Sequence, residues 1–165
     1  MQREVIRPWP VQPEHKMPYV PGIKVNGGTL LFLSGCGPGL PTHRHPHVAE
    51  DFILPEDPAE QARRAVNKIK TIIETAGGSF TDIVKVTRYF VDIRDQDQVN
   101  EVMHEYFGDH LPCSTTVQVA SLVVPQIKIE IEAMAIIPEG SKARPRPGGG
   151  RTRGGGRVRG RGSRK

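Results

Sequence analysis

The chain has 165 residues, 36% hydrophobic and 25% charged, which is enough for one domain with a buried core and too short for two ordinary ones. No apolar run reaches the roughly 20 residues that a membrane helix needs, and the N-terminus lacks a hydrophobic signal segment, so we expect a cytoplasmic protein. The only cysteines, Cys36 and Cys113, are too few for a disulfide framework and are expected to be free thiols.

The net charge of +5 combines two parts of opposite sign. Residues 141–165 carry ten basic and no acidic side chains, whereas residues 1–140 carry 13 basic and 18 acidic ones. An acidic body argues against nucleic-acid binding by the folded part. The composition of the Arg- and Gly-rich segment 139–165 predicts a disordered tail. This tail either makes a weak nucleic-acid contact through residues 141–165 or is a functionally neutral extension.

The first part of the chain predicts short strands. EVIR near the N-terminus indicates one strand, and two apolar runs follow at 22–26 and 29–34. They are separated by Asn26, Gly27 and Gly28, which accept the positive φ of a tight turn, so the two runs predict a β-hairpin. Residues 35–56 contain four prolines without an alternating apolar face, which predicts a long loop of the kind that often carries function.

A helix is predicted next, with Asp57 as N-cap, Pro58 at the first helical position and Glu60 three residues after the cap. Gly77 and Gly78 end it. Apolar residues at spacings of three and four predict its buried stripe: Ala62, Ala65, Val66, Ile69, Ile72, Ile73 and Ala76. The side expected to face water holds Arg63, Arg64, Lys68, Lys70 and Glu74.

The rest of the chain predicts strand, helix and two further strands. DIVKVTRYFVD indicates a strand, and Asp95 with Gln98 predicts a capping box at the start of the second helix. LPCSTTVQVA and KIEIEAMAII indicate the last two strands. Two helices cover only one face of such a sheet, so we predict a two-layer α+β sandwich with a mixed sheet. Its open apolar face is costly in water, which predicts a homo-oligomer.

Two acidic residues share one face of the last strand. Glu130 and Glu132 are two residues apart, while Ile129, Ile131 and Ala133 take the other face. This pattern fits a half-buried strand with a solvated polar face, which the strand alone favours. It also fits a poorly solvated carboxylate in a cleft that acts as a general acid or base.

Several stretches, in this order, resemble the RidA/YjgF (UK114-like) family of reactive-intermediate deaminases. The resemblance covers residues 1–138, which we take as one domain, and implies a chorismate-mutase-like α+β fold. It also implies a homotrimer with ligand clefts between subunits. The implied reaction hydrolyses small enamines and imines such as 2-aminoacrylate to a keto acid and ammonia, without a metal or organic cofactor. The stretches are PYVPGIKVNGGTLLFLSG, AEQARRAVNKIKTIIETAGGSFTDIVKVTRYFVDIRD, VNEVMHEYF, TTVQVASL and IEIEAMAII.

The resemblance also implies roles for individual residues. The family's substrate-contacting motifs fall on Tyr19, on Ser34 with Gly35, and on Asn100. The glutamate that positions the attacking water falls on Glu130. Glu132 is then expected to be structural.

One motif departs from the family pattern. Deaminating members have Pro-x-Arg-Ser or Pro-x-Arg-Thr where this chain has Pro112, Cys113, Ser114 and Thr115. Ser114 therefore replaces the arginine that pairs with the substrate carboxylate, and losing such a partner costs binding about 2 to 5 kcal/mol. We expect Ser114 and Thr115 to contact a different substrate, such as a larger, pathway-specific enamine of the aminomuconate type. The alternatives are a ligand-binding trimer without catalysis, serving as a sensor or RNA-associated protein, and a ribonuclease-like variant.

Cys113 has two interpretations. It is a small hydrophobe at a strand start, or a catalytic nucleophile that adds to an electrophilic substrate if a base or cation forms the thiolate. We retain it as a candidate catalytic residue. Cys36 lies close to Ser34 in sequence, so two thiols are expected to line one cleft.

Three histidines alternate in the long loop: His43, His45 and His47. Their spacing matches no closed metal-site pattern, and Pro46 restricts the loop. We therefore predict no metal site. The resemblance implies that this loop lies at the cleft mouth, where the imidazoles contact ligand or solvent.

Overall fold

The computed structural model describes residues 1–10 and 17–142. The predicted disordered tail lies outside the described residues from 143 onward. Within the described ranges the chain forms six strands and two α-helices: β1 Gln2–Ile6, β2 Gly22–Asn26, β3 Thr29–Phe32, α1 Pro58–Thr75, β4 Ile83–Phe90, α2 Gln96–Phe107, β5 Cys113–Gln118 and β6 Ile129–Ile137.

The main sheet has the strand order β3-β6-β4-β5. β6 pairs antiparallel with both β3 and β4, whereas β4 and β5 are parallel and are joined by a crossover through α2. Both helices contribute to the core that covers one face of this sheet. The predicted α+β architecture, with a mixed sheet and two helices on one face, is confirmed.

Alternation along β6 supplies the centre of that core. Its odd-numbered residues are all buried, and its even-numbered residues lie on the opposite, open face. α1 packs its apolar stripe against the buried side, with Ala62, Ala65, Val66, Ile69 and Ile73 nearly inaccessible. The N-cap prediction is confirmed, because the Asp57 side chain accepts hydrogen bonds from the backbone N–H groups of Ala59 and Glu60.

The predicted capping box of α2 is wrong in detail. A 3-10 turn, Ile93–Asp95, runs directly into the helix, so Asp95 has helical backbone angles of −76° and −7°. An N-cap needs an extended backbone to bring its side chain over the first N–H groups, so Asp95 makes no such bond. The amide of Gln98 donates to its carboxylate instead, at 3.2 Å.

The predicted β-hairpin is also wrong. β2 pairs with β1 in a separate two-stranded sheet, and β3 pairs with β6. Gly27 and Gly28 do take positive φ, as predicted, at 75° and 95°. However, a Cβ on Gly28 would lie 2.6 Å from Ile136 Cγ2, so the bend packs against the end of β6 and directs β2 and β3 into different sheets.

A buried glutamine fixes the loops around α1. Gln61 is inaccessible, and its amide nitrogen donates to the carbonyl oxygens of Pro55 (2.8 Å) and Gln126 (2.9 Å). Its amide oxygen accepts from the N–H of Lys128 at 2.8 Å. All three bonds are made away from water, so Gln61 ties the start of α1 to the segment that leads into β6.

The open face of the sheet carries exposed apolar side chains. Phe32 is 65% and Leu30 is 51% exposed, and they pair with Met134 and Ile136 of β6 on the same face. Val117 of β5 is also exposed on this face. Such a patch is unusual for a surface that stays in water. None of the described helices has the length and apolar character of a membrane span.

Candidate functional site

A cavity of about 410 Å³ lies between the chain after β3, the middle of α1 and the loop before β6. Its wall is mainly apolar, and four ionisable side chains reach it: Cys36, His43, Lys68 and Glu130. Enclosed cavities with a few polar groups on apolar walls are the usual form of a small-molecule site. The apolar lining comprises Leu40, Pro41, Phe52, Ile72, Val123 and Ile127.

The position of Glu130 depends on Gly35. Cys36 and Ile131 exchange two backbone hydrogen bonds, of 2.8 and 3.0 Å, which keep the chain after β3 beside β6. The Glu130 side chain then lies against Gly35, where a Cβ atom would be 2.8 Å from its Cδ and 3.1 Å from its Cγ. Both distances are shorter than carbon contacts allow. A glycine at 35 is therefore required for the carboxylate to lie where it does.

Lys68 brings a positive charge into the same cavity. The helical pattern assigned it to the water-facing side, and that expectation is wrong: Lys68 is half-buried and lines the cavity one turn before Ile72. Burial lowers the pKa of the Lys68 ammonium from its ordinary value, against the opposing influence of Cys36 and Glu130. The cavity thus holds an ammonium and a carboxylate close enough to influence each other.

Ile72 departs from its predicted burial for the same reason. It was assigned to the buried stripe of α1, yet 40% of its surface is exposed because this flank of the helix borders the cavity rather than the sheet. Residues at the edge of a helical stripe are the ones whose environment the period leaves undecided. Residues 68 and 72, whose environments were predicted wrongly, lie on adjacent turns along the edge of the apolar stripe of α1.

Cys36 contributes a thiol to the cavity wall. Burial raises the pKa of this thiol; Lys68 opposes the effect and Glu130 adds to it. The Sγ atom lies 3.6 Å from the carbonyl oxygen of Ser34, to which it donates. A thiol with a raised pKa stays protonated at neutral pH, which suits packing and weak hydrogen bonding rather than nucleophilic attack.

Of the residues predicted to contact substrate, Ser34 and Gly35 line this cavity together with Glu130. Tyr19 does not: it lies beside Trp9 and His104 in a second cavity near the end of α2. A single chain therefore brings the predicted residues only partly together.

Asn100 belongs to a buried polar cluster instead. The guanidinium of Arg88, 3% exposed, donates to Asn100 Oδ1 at 2.5 Å and to Thr116 Oγ1 at 2.7 Å. Burial lowers the pKa of Arg88 to about 10, and its Nε is buried without a hydrogen-bond partner among the described residues. Because a guanidinium only donates, the oxygen of Asn100 must face it and the amide NH₂ is left to donate elsewhere. The sequence pattern contained this arginine in a strand without indicating a role for it.

Ser114 lies on the same sheet face as this cluster. It pairs with Val86 and precedes Thr116 by two residues, and its hydroxyl is buried without a hydrogen-bond partner in the described part of the chain. Cys113 and Thr115 take the open face. The expectation that both thiols line one cleft is thus not met within a single chain.

A cation accompanies Cys113 on the open face. Lys85 is its register partner on β4, and the Lys85 ammonium donates to the hydroxyl of Thr115. The sequence showed no local partner that could form the thiolate, because this neighbour comes from another strand. Lys85 is therefore a positively charged register neighbour of Cys113, and its ammonium is hydrogen bonded to Thr115.

The long loop is held by an ion pair. Arg44 donates from its backbone N–H to Asp51 at 2.8 Å and from its guanidinium to both carboxylate oxygens, with a shortest distance of 2.7 Å. These hydrogen bonds lower the pKa of Asp51 to about 2, so the carboxylate stays ionised at all ordinary pH values. The clamp closes the loop that carries His43, His45 and His47, and it brings the three imidazoles together, which their spacing did not predict.

Comparison with known proteins is consistent with this architecture. Residues 10–137 match the family model described as endoribonuclease L-PSP. A RutC family protein of Pyrococcus abyssi is 40% identical over 118 residues, which are 72% of this chain and 85% of that protein. The 2-iminobutanoate/2-iminopropanoate deaminase of Escherichia coli is 36% identical over 122 residues, which are 72% of this chain and 87% of that protein.

Solved structures are similar to about three quarters of this chain. The crystal structure of Escherichia coli TdcF with bound serine superposes with a TM-score of 0.56 at 36% identity, covering 73% of this chain and 88% of that one. A Thermotoga maritima protein described as a putative endoribonuclease superposes with a TM-score of 0.57 at 34% identity, covering 75% and 90% of the two chains. In fold and in sequence, this chain belongs to the RidA/YjgF family.

Proposed function

We propose that this protein is a hydrolytic deaminase of small imines and enamines that bear a carboxylate. The observation that carries the proposal is the Glu130 carboxylate, held against Gly35 in a largely apolar cavity that also contains the Lys68 ammonium. The names of two relatives, "putative reactive intermediate deaminase TdcF" and "2-iminobutanoate/2-iminopropanoate deaminase", support the same reaction class.

The hydrolysis needs a group that accepts a proton from water and returns it at the same site. An enamine first tautomerises to the imine, gaining a proton on carbon and losing one from nitrogen. Glu130 accepts a proton from a water molecule, whose oxygen forms a bond to the imine carbon. Glu130 returns this proton to the nitrogen, which gives an amino alcohol. It then takes the proton of the new hydroxyl group and passes it to the nitrogen, so that the carbon–oxygen double bond forms, the carbon–nitrogen bond breaks and ammonia leaves a keto product. One carboxylate suffices for these transfers because it regains its starting state at the end.

Lys68 supplies the positive charge that Ser114 cannot. The family resemblance implies an arginine at position 114, and this chain has an uncharged serine whose side chain does not line the cavity. In our proposal the Lys68 ammonium binds the substrate carboxylate in its place. Arg88 is less suited to this role because its Nη atoms are already engaged by Asn100 and Thr116.

A trimer completes the site in this proposal. Tyr19, Asn100 and Thr115 lie away from the cavity of their own chain, so they reach a substrate only at a junction between copies. The exposed apolar residues of the open sheet face, with Phe32 at their centre, support a second copy as the occupant of that face. The family resemblance implies the same assembly.

The first prediction concerns the base. Glu130→Gln keeps the shape of the side chain and removes its basicity, so kcat for ammonia release is expected to fall by about 100-fold or more. Imino acids made in the assay by an amino-acid oxidase serve as substrates, and their spontaneous hydrolysis is the background. The matched control is Glu132→Gln, on the same face of the same strand and outside this cavity, which is expected to act like the parent.

Two results of that experiment contradict the proposal. One is an unchanged rate in Glu130→Gln. The other is a parent protein that releases no ammonia above background from any imine of the panel, which instead supports a ligand-binding protein.

The second prediction concerns the position of the carboxylate. Gly35→Ala places a methyl group where the Glu130 side chain lies, so the carboxylate must move and deamination should fall nearly as far as in Glu130→Gln. Gly39→Ala is the control, because its methyl group meets only Phe52 at 3.8 Å, an ordinary contact in the same cavity. Equal activity of the two alanine variants would show that the observed contact has no role.

The third prediction concerns substrate charge. Lys68→Met removes the ammonium but keeps the length of the side chain, at a cost of about 2 kcal/mol for a charged hydrogen bond, or about 30-fold in kcat/KM for carboxylate-bearing imines. The loss should be smaller for an imine without a carboxylate. Lys70→Met, on the exposed side of the same helix, is the control.

The pH profile gives an independent check on Lys68. Because burial lowers the pKa of Lys68, the protonated form that binds the carboxylate disappears at a lower pH than for a free lysine. kcat/KM for carboxylate substrates should therefore fall on the alkaline side, and this limb should be absent in Lys68→Met. A limb that persists in the variant belongs to another group.

The fourth prediction concerns assembly. Sedimentation of the full chain is expected to give a mass three times 18.2 kDa. Phe32→Glu places a charge in the apolar face and should dissociate the trimer and lower deamination together. Ile53→Glu is the control, since Ile53 is 81% exposed but lies on the loop rather than the sheet. A monomeric parent would overturn the shared site while leaving the fold intact.

A further inference from the structure

The histidines of the long loop form a compact triangle. The ring centroids of His43, His45 and His47 are separated by 4.6, 4.7 and 5.0 Å, and one ligating nitrogen from each lies within 4.8 Å of the other two. Nothing in the proposed deamination uses this triangle.

Two sets of contacts hold the triangle in place. The Arg44 clamp on Asp51 fixes the loop backbone between the first two histidines. Phe52, which is buried against Val124 and Ile127, contacts the rings of His43 and His47 at centroid distances of 5.1 and 5.3 Å. Two of the three histidines therefore pack against a small apolar core, and His45 packs against those two.

The chemistry of three imidazoles suits a divalent transition metal. Neutral imidazole nitrogen is a ligand for zinc, cobalt, nickel and copper. Zinc–nitrogen bonds of about 2.0–2.1 Å require ligand nitrogens about 3.3 Å apart in a tetrahedral site. The observed separations lie within about 1.5 Å of that value, a closure that side-chain rotation of the exposed His45 and His47 can supply.

The histidine triangle borders the cavity described above. His43 lines the cavity that holds Glu130, so a metal ion on the three histidines lies at the rim of that cavity. Three protein ligands leave a tetrahedral ion one position for water or another small ligand, as in catalytic rather than structural zinc sites. Polar groups of a molecule in the cavity are then within reach of that position.

We propose that His43, His45 and His47 bind one divalent transition-metal ion of the zinc class, with an exchangeable coordination position at the cavity rim. The prediction of no metal site, made from spacing, is revised here because the loop clamp creates a proximity that spacing does not contain. The site stands independently of the proposed deamination, since its ligands are separate from Glu130 and Lys68.

The test uses the untagged full chain, freed of metal by a chelator and then dialysed. Titration with ZnCl₂, followed by calorimetry, is expected to give one ion per chain, and CoCl₂ is expected to give the visible absorption of a tetrahedral nitrogen site. His43→Ala, His45→Ala and His47→Ala should each weaken binding by about 10-fold or more, the smallest loss typical even of residues that only support a ligand. Arg44→Ala should weaken binding while leaving all three ligands present.

The control is the double variant His104→Ala/His110→Ala, which removes two imidazoles from the region of α2 and should bind as the parent does. Equal thermal unfolding of the metal-free proteins shows that each variant is folded. Absence of a stoichiometric ion overturns the proposal, as does parental affinity in the triple variant His43→Ala/His45→Ala/His47→Ala. Failure of deamination in any of these proteins has no bearing on the result, because binding is measured directly.

Discussion

The register of β6 is the constraint on which the site depends. Every odd-numbered residue of this strand is buried under the helices, so a shift by one residue would place five apolar side chains in water and two carboxylates in the core. That cost fixes Glu130 opposite Tyr89 of β4 and beside the chain that leaves β3. The position of the carboxylate is thus a by-product of core packing. Only the local detail, a glycine at 35, is particular to the site.

The cavity contains a carboxylate and an ammonium group that would be costly to bury in the apolar core. Glu130 and Lys68 are both partly exposed, and each reduces the cost of the other's partial burial, as the opposing influences on the Lys68 ammonium indicate. Cys36 lines the same cavity as an uncharged donor. Arg88 differs from Lys68 because it is buried. The oxygens that accept hydrogen bonds from its Nη atoms belong to neutral side chains rather than to a carboxylate.

The sequence predicted what local patterns determine. The bounds of α1 follow from its cap residues, the two faces of β6 follow from a period of two, and the placement of both helices on one side follows from there being only two of them. It failed where the outcome depends on residues distant in the chain. The pairing of β2 with β1 instead of β3, the entry of Lys68 into a cavity and the convergence of the histidines each require contacts across the fold. The helical pattern was compatible with the cavity position of Lys68, because a lysine beside the apolar stripe can be either solvated or cavity-lining.

The parallel pairing of β5 has a consequence for backbone motion. In the described sheet this strand is hydrogen bonded on one side only, by β4, and the chain reaches it through the whole length of α2. Strands with a free edge open to solvent at lower free energy than strands bonded on both sides. Deuterium should therefore replace the amide hydrogens of β5 long before those of β6, and the segment that carries Cys113 and Ser114 is better able than β6 to adjust its shape around a bound molecule.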